Sequence, residues 1–152
     1  MALEYDLYLD VGMTPTQAFE VLARRVPGLA RSEEGFWLVD ETATITVADV
    51  LASRQGVIGD AFRFIPTVRV GFRFVNDTDY DRFRQVMLEA MSLLLEHTQD
   101  AVLLFNGEVI VLQRFGGKLV FNSDYHIWDD DDWLRSRLSL PFERRPLPSP
   151  LL

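Results

Sequence analysis

At 152 residues, with 48% hydrophobic and 12% aromatic content, the chain is long enough to bury a core as one domain and too apolar to stay disordered. The absence of cysteine excludes disulfides, thiolate zinc sites and cysteine nucleophiles, and suits a reducing compartment. Twenty-three acids against fifteen Lys and Arg leave a net charge of −8, which argues against nucleic acid as a partner and would steer a basic protein toward the surface.

The opening segment, Met1 to Asp6, lacks the basic start and apolar run of a secretory leader. No apolar stretch approaches the ~20 residues of a membrane helix, so the expectation is a cytoplasmic protein with no membrane contact. Leu3, Tyr5, Leu7 and Leu9 alternate with Glu4, Asp6, Tyr8 and Asp10, the period of a strand with one buried face. Thr14, Pro15 and Gln17 then supply a capping hydroxyl, a preset helical φ and a capping-box side chain, so a helix should run from there to Pro27-Gly28 with Ala18, Phe19, Leu22 and Val26 inward.

Phe36 to Val39 and Thr42 to Val47 read as a hairpin about Asp40-Glu41. Residues 49–61 are ambiguous between a weak helix and a loop, because Asp49, Gly56, Gly59 and Asp60 punctuate them. Phe62, Phe64, Val68, Val70, Phe72 and Phe74 share parity and predict one long strand, with Pro66 marking an edge, bulge or bend. A second helix is expected from Asn76-Asp77-Thr78, its stripe of Tyr80, Phe83, Met87, Met91 and Leu94 facing the core. Asn106-Gly107 between Val102–Phe105 and Val109–Arg114 suits a type I′ hairpin turn. Gly116-Gly117 turns the chain again into Leu119–Asn122.

These elements predict an α+β fold: a single antiparallel sheet of about six to eight strands with two helices on one face, in a pseudo-duplicated β-α-β-β order. Residues 1–142 would form the domain and 143–152 a Pro-rich C-terminal tail. A twofold between the halves would join their first strands at the sheet centre and set Glu4 and Asp6 near Arg63, Arg69 and Arg73. Those arginines could clamp an anion or pair with the acids.

Asp124, His126, Asp129, Asp130, Asp131 and Asp132 are the densest cluster of ligand-type residues. They read either as a divalent-ion site or as solvated charge leading into a helix at Trp133. No catalytic or nucleotide-binding motif occurs, and two histidines without cysteine leave little for nucleophile-and-base chemistry, so the chain reads as a binding protein without a cofactor, not an enzyme. The candidate partner-binding residues are Arg63, Arg69, Arg73, Asp124, His126, Trp128, Asp129, Asp130, Asp131 and Asp132. Val102–Phe105 and Val109–Leu112 are apolar on both parities. Their second face needs cover from the C-terminal segment with Trp128, Trp133, Leu138 and Phe142, from a partner, or from a second copy in a homodimer.

The run from Asp100 to Glu108, followed by Leu112, Arg114, Gly117 and Leu119–Asn122, resembles a family of bacterial immunity proteins of the swarming-inhibition (Sit) toxin and immunity systems. Ala2 to Tyr5 and Pro66-Thr67-Val68 with Phe72 and Phe74 are similar to that family too. The resemblance implies a cytoplasmic protein that neutralises a cognate protein toxin by binding it, and its motifs are structural hairpins that transfer no catalytic or ligand residue. The residues also leave open a small-molecule pocket between sheet and helices, and a metal-dependent hydrolase centred on Asp124, His126 and the Asp run.

Overall fold

A computed structural model describes residues 3–151. Met1 and Ala2 of the opening segment, and Leu152, lie outside the described residues. Thirteen elements follow in order: β1 (Glu4–Val11), α1 (Pro15–Arg25), β2 (Ala30–Arg31), β3 (Leu38–Val39), β4 (Ala43–Asp49), α2 (Ala52–Phe62), β5 (Val68–Phe74), α3 (Tyr80–Leu95), β6 (Thr98–Phe105), β7 (Val109–Phe115), β8 (Lys118–Asn122), α4 (Asp131–Arg137) and β9 (Phe142–Arg145).

The local signals act as their chemistry dictates. Thr14 Oγ1 accepts from the Gln17 amide at 3.1 Å while Gln17 Oε1 accepts from the Thr14 amide at 2.9 Å, closing the capping box of α1. Asp79 caps α3 by accepting from the Arg82 amide at 3.2 Å. Asn106 at φ 49° and Gly107 at φ 76° make the left-handed turn between β6 and β7.

The nine strands form one sheet in the order β2-β3-β4-β5-β1-β6-β7-β8-β9. The fold is α+β as expected, but the expectation of six to eight antiparallel strands with two helices is corrected to a mixed sheet of nine strands and four helices among the described residues. β9 runs parallel to β8, pairing Leu119 with Phe142 and Asn122 with Arg145, whereas the other neighbours are antiparallel.

β1 and β5, the first strands of the two halves, do meet antiparallel at the centre, with Glu4 opposite Arg73 and Leu7 opposite Val70. The duplicated order fails beyond them. In the second half the return strands run outward in chain order from β6 to β8; in the first half they run inward from the edge, β2 to β4. The difference arises because α1 carries the chain to the far edge of the sheet, while α3 returns it directly beside β1.

Two cores flank the sheet. α1 and α3 cover one face with Ala18, Leu22, Phe83, Met87, Met91 and Leu94 against Tyr5, Leu7, Leu9, Val70, Phe72 and Leu103, joined by Trp128, Leu134 and Leu138. Each large apolar side chain so buried contributes about 1.5–3 kcal/mol. The second core holds Tyr8, Val102, Leu104, Ile110 and Val120 beneath Ile58 and Phe62 of α2, together with Phe64 and Leu147. The second apolar face is therefore covered mainly by α2, the helix that takes up most of the ambiguous 49–61 segment, with Leu147 and Leu151 adding to it.

The long strand predicted from Phe62 is also corrected. Phe62 ends α2, Arg63 takes a left-handed φ of 64°, and the strand starts only at Val68. The chain bends at Arg63 and Phe64 before β5 begins, and Phe62 and Phe64 pack in the second core while Val68, Val70 and Phe72 pack in the first, despite their shared parity. The predicted strand at Phe36–Val39 shrinks to Leu38–Val39 and leaves Phe36 on the hairpin tip.

Candidate functional site

Strand alternation turns Glu4 and Asp6 of β1 away from the α1 and α3 core, toward the same side of the sheet as Tyr8 and α2. α2 packs over Tyr8, and beyond it on this side lies a cleft of about 250 Å³ lined by Glu4, Asp6, Thr46, Arg69, Gly71 and Arg73 among others. Arg69 Nη1 donates to Asp6 Oδ1 at 3.0 Å, and Arg73 Nε lies 3.7 Å from Glu4 Oε1. Each arginine is thus set beside a β1 acid, closely for Arg69 and more loosely for the exposed Arg73.

Gly71 floors the cleft: a Cβ at that position would stand 2.8 Å from Thr46 Oγ1 and 3.3 Å from Asp6 Oδ1. Arg63, expected on the same strand, is instead the exposed C-cap of α2, its amide donating to Gly59 O at 2.9 Å, so it does not belong to this cluster.

Burial raises the Asp6 carboxyl above its ordinary value of 3.8, and this outweighs the attraction of Arg69. The folded state then holds the Asp6 proton more tightly than the unfolded state. Its stability contribution is therefore fullest near and below 3.8 and is lost as pH rises through the folded value. Removing the arginine as Arg69→Met is expected to raise the Asp6 titration further, read by carboxyl-carbon NMR; an unchanged midpoint would show that the pair does not couple.

The second predicted cluster lies on the opposite face. Asn122, buried at the end of β8, donates through Nδ2 to Ile110 O at 2.7 Å and Leu147 O at 3.3 Å, while its Oδ1 accepts from the Asp124 amide at 2.9 Å and the Leu147 amide at 3.2 Å. One side chain thereby fixes both the start of the 123–130 loop and the C-terminal segment. Arg84 Nη1 donates to Ile127 O at 2.7 Å, and Trp128 Nε1 returns a bond to Arg84 O at 3.2 Å. Trp128 is only 3% exposed and meets Phe121 edge-on at 6.1 Å, so it is core rather than contact surface.

The acids around it diverge. His126 Nδ1 lies 3.1 Å from Asp129 Oδ1, Asp130 caps α4 by accepting from the Trp133 amide at 3.0 Å, and Asp131 receives Arg144 Nε at 2.6 Å. Asp132 faces Arg135 at 3.4 Å, and the exposed Asp124 engages the chain through its amide. Among the described residues, no three acids or histidines converge tightly enough to hold a metal ion.

Between the clusters sits an arrangement that sequence reasoning missed. The hydroxyls of Tyr5 and Tyr125 lie 2.7 Å apart, and that of Tyr80 lies 3.5 Å from Tyr5. Burial, followed by the hydrogen bonds to Tyr125 and Tyr80, pushes the Tyr5 phenol well above its ordinary value, and burial raises Tyr125 as well. The group binds β1, α3 and the 123–130 loop together as neutral donors and acceptors. Its one legible signal was Tyr5 as the only polar side chain on the inward parity of β1, since a buried phenol hydroxyl needs a partner. Replacement as Tyr125→Phe is expected to cost about 1 kcal/mol in urea unfolding.

The clefts open on the surface, while the space between the sheet and helices α1 and α3 is filled by fully buried side chains such as Leu7, Leu22, Met87 and Met91. A family model described as SitI3-like matches residues 3–132. Comparison with curated proteins and with solved structures gave no match.

Proposed function

The chain belongs to the SitI3-like family, and from that premise we propose that it is an immunity protein that neutralises a cognate protein toxin by binding it. The match over residues 3–132 carries this reading, because it spans both cores and every strand from β1 to β8 rather than one hairpin. Acting by occupation needs no reactive centre, which suits arginines that are already paired and acids that point apart. The proposed site of action is the cytoplasm. No helix among the described residues is long and apolar enough to cross a membrane.

The net charge of −8 favours a basic toxin surface over nucleic acid. We assign partner contact to exposed residues: Arg73 of the cleft, Arg63 at the end of α2 apart from it, and Asp124, His126, Asp129, Asp130 and Asp132 of the loop cluster. Arg69, Asp131 and Trp128 act behind them by holding strand and loop in place.

Co-expression of the chain with toxin genes encoded beside its own tests the reading: growth should be restored against one of them, and protection against none would overturn it. The double reversal Asp129→Lys/Asp132→Lys is expected to slow association with that toxin about tenfold at low salt, with the gap closing as salt is added. Unchanged association rates would remove the acidic loop from the interface.

A further inference from the structure

The hairpin at the β2 edge of the sheet presents an apolar side chain that the fold does not use. Phe36 is 78% exposed, the most exposed large apolar residue among those described. It does not lie on a loose segment. Below it, β2 and β3 pair Arg31 with Leu38, and Leu38 is fully buried. The tip closes through Ser32 N to Trp37 O at 2.9 Å and Gly35 N to Ser32 O at 2.9 Å. Gly35 adopts φ +79°, the left-handed turn that lets the chain present Phe36 outward. Phe36 forms one wall of a cleft of about 260 Å³ that Pro15, Phe19 and Val47 also line, and most of its ring still faces solvent.

The charge around this peg is one-sided. Arg31 is taken by Glu20 at 2.7 Å, and Glu20 also draws Arg24 to 3.8 Å. Glu33 and Glu34, both exposed on the tip, have no cationic partner among the described residues. An aromatic anchor beside two free carboxylates is complementary to an apolar socket rimmed by Lys or Arg. A second copy of the chain fits poorly, since it would bring the same carboxylates and a further charge of −8.

We propose that the 32–37 tip is a docking peg: Phe36 inserts into an apolar pocket on a partner protein, and Glu33 and Glu34 meet basic residues at that pocket's rim. Identifying the partner as the toxin rests on the immunity reading; the peg itself does not.

The test places a benzophenone side chain at position 36 of the full-length protein in the cells that make it, with irradiation and mapping of the adduct by mass spectrometry. Expected is an adduct to another protein at a segment where Lys or Arg flanks apolar residues, its yield falling about tenfold with Glu33→Lys/Glu34→Lys. In the purified complex, Phe36→Ala should weaken binding about thirtyfold while leaving the melting temperature unchanged. No adduct, adducts only to a second copy, or yields indifferent to the charge reversal would each overturn the peg. A mapped partner with no toxic activity would keep the peg and detach it from the immunity reading, which stands or falls on the co-expression test, whereas a toxin neutralised equally well by Phe36→Ala would remove the peg from toxin binding and keep that reading.

Discussion

Trp128→Ala is expected to lower the unfolding free energy by about 3–5 kcal/mol, because a large, fully packed ring leaves a cavity that its neighbours fill only in part. The neighbours are well defined: the ring of Phe121, the Arg84 carbonyl that accepts from Nε1, and the Arg144 guanidinium that donates to the Trp128 carbonyl. In a domain of this size the melting temperature should fall by roughly 6–20 °C. Trp128→Phe keeps most of the volume and loses only the indole donor, so its cost should be about 1–2 kcal/mol. His126→Ala and Asp129→Asn, a few residues away but exposed, should stay within about 0.5 kcal/mol of the parent. Urea unfolding of the four variants decides the matter. If Trp128→Ala is as stable as the parent, the residue is not part of the core and the division of this loop into support and contact surface is wrong.

The second large effect is expected at Ile58→Ala, about 2–5 kcal/mol, since Ile58 is fully buried between α2 and the sheet. α2 has only Ile58 and Phe62 as buried anchors, and its N-cap, Leu51, makes no side-chain capping bond. Loss of either anchor should therefore loosen the whole helix rather than one turn, raising amide exchange along 52–62 and exposing Val102, Leu104, Ile110 and Val120 to an apolar dye. Val57→Ala, on the exposed side, is the control. Dye binding that stays at the parent level with Ile58→Ala would mean that the C-terminal segment, not α2, seals this face.

What could be read beforehand follows from how local each signal is. The capping box at Thr14, the Asn106-Gly107 turn and the α3 stripe from Phe83 to Leu94 are determined within a few residues and stand where their chemistry put them, whereas Tyr80 at the head of that stripe is exposed. α2 was hidden because Gly56 and Gly59 lower helix propensity and because its apolar residues are too few to write a stripe; packing on an already apolar strand pair stabilises it instead. Parity failed at Phe62 and Phe64 because period-two reasoning assumes an unbroken strand, and the left-handed Arg63 and Pro66 break it. β9 carries Glu143, Arg144 and Arg145 in four residues and has no apolar alternation to betray it; β8 and the bond from Arg144 to Asp131 organise it. Of the site, the nearness of Arg69 and Arg73 to the β1 acids was legible from the expected meeting of the two first strands, although Arg63 was not part of it and Arg69 reaches Asp6 diagonally from its place opposite Tyr8. The tyrosine trio was not, since Tyr5, Tyr80 and Tyr125 are brought together only by the tertiary fold.

β1 lies between β5 and β6, strands that follow it by 57 or more residues in the chain. A ribosome adding about 5–20 residues per second has released β1 several seconds before either neighbour emerges. Through that interval Tyr5, Leu7 and Leu9 of the central strand have neither neighbour to pair with. The central strand therefore gains both of its neighbours only once synthesis has reached residue 105, so the sheet closes about its middle late in the life of the nascent chain.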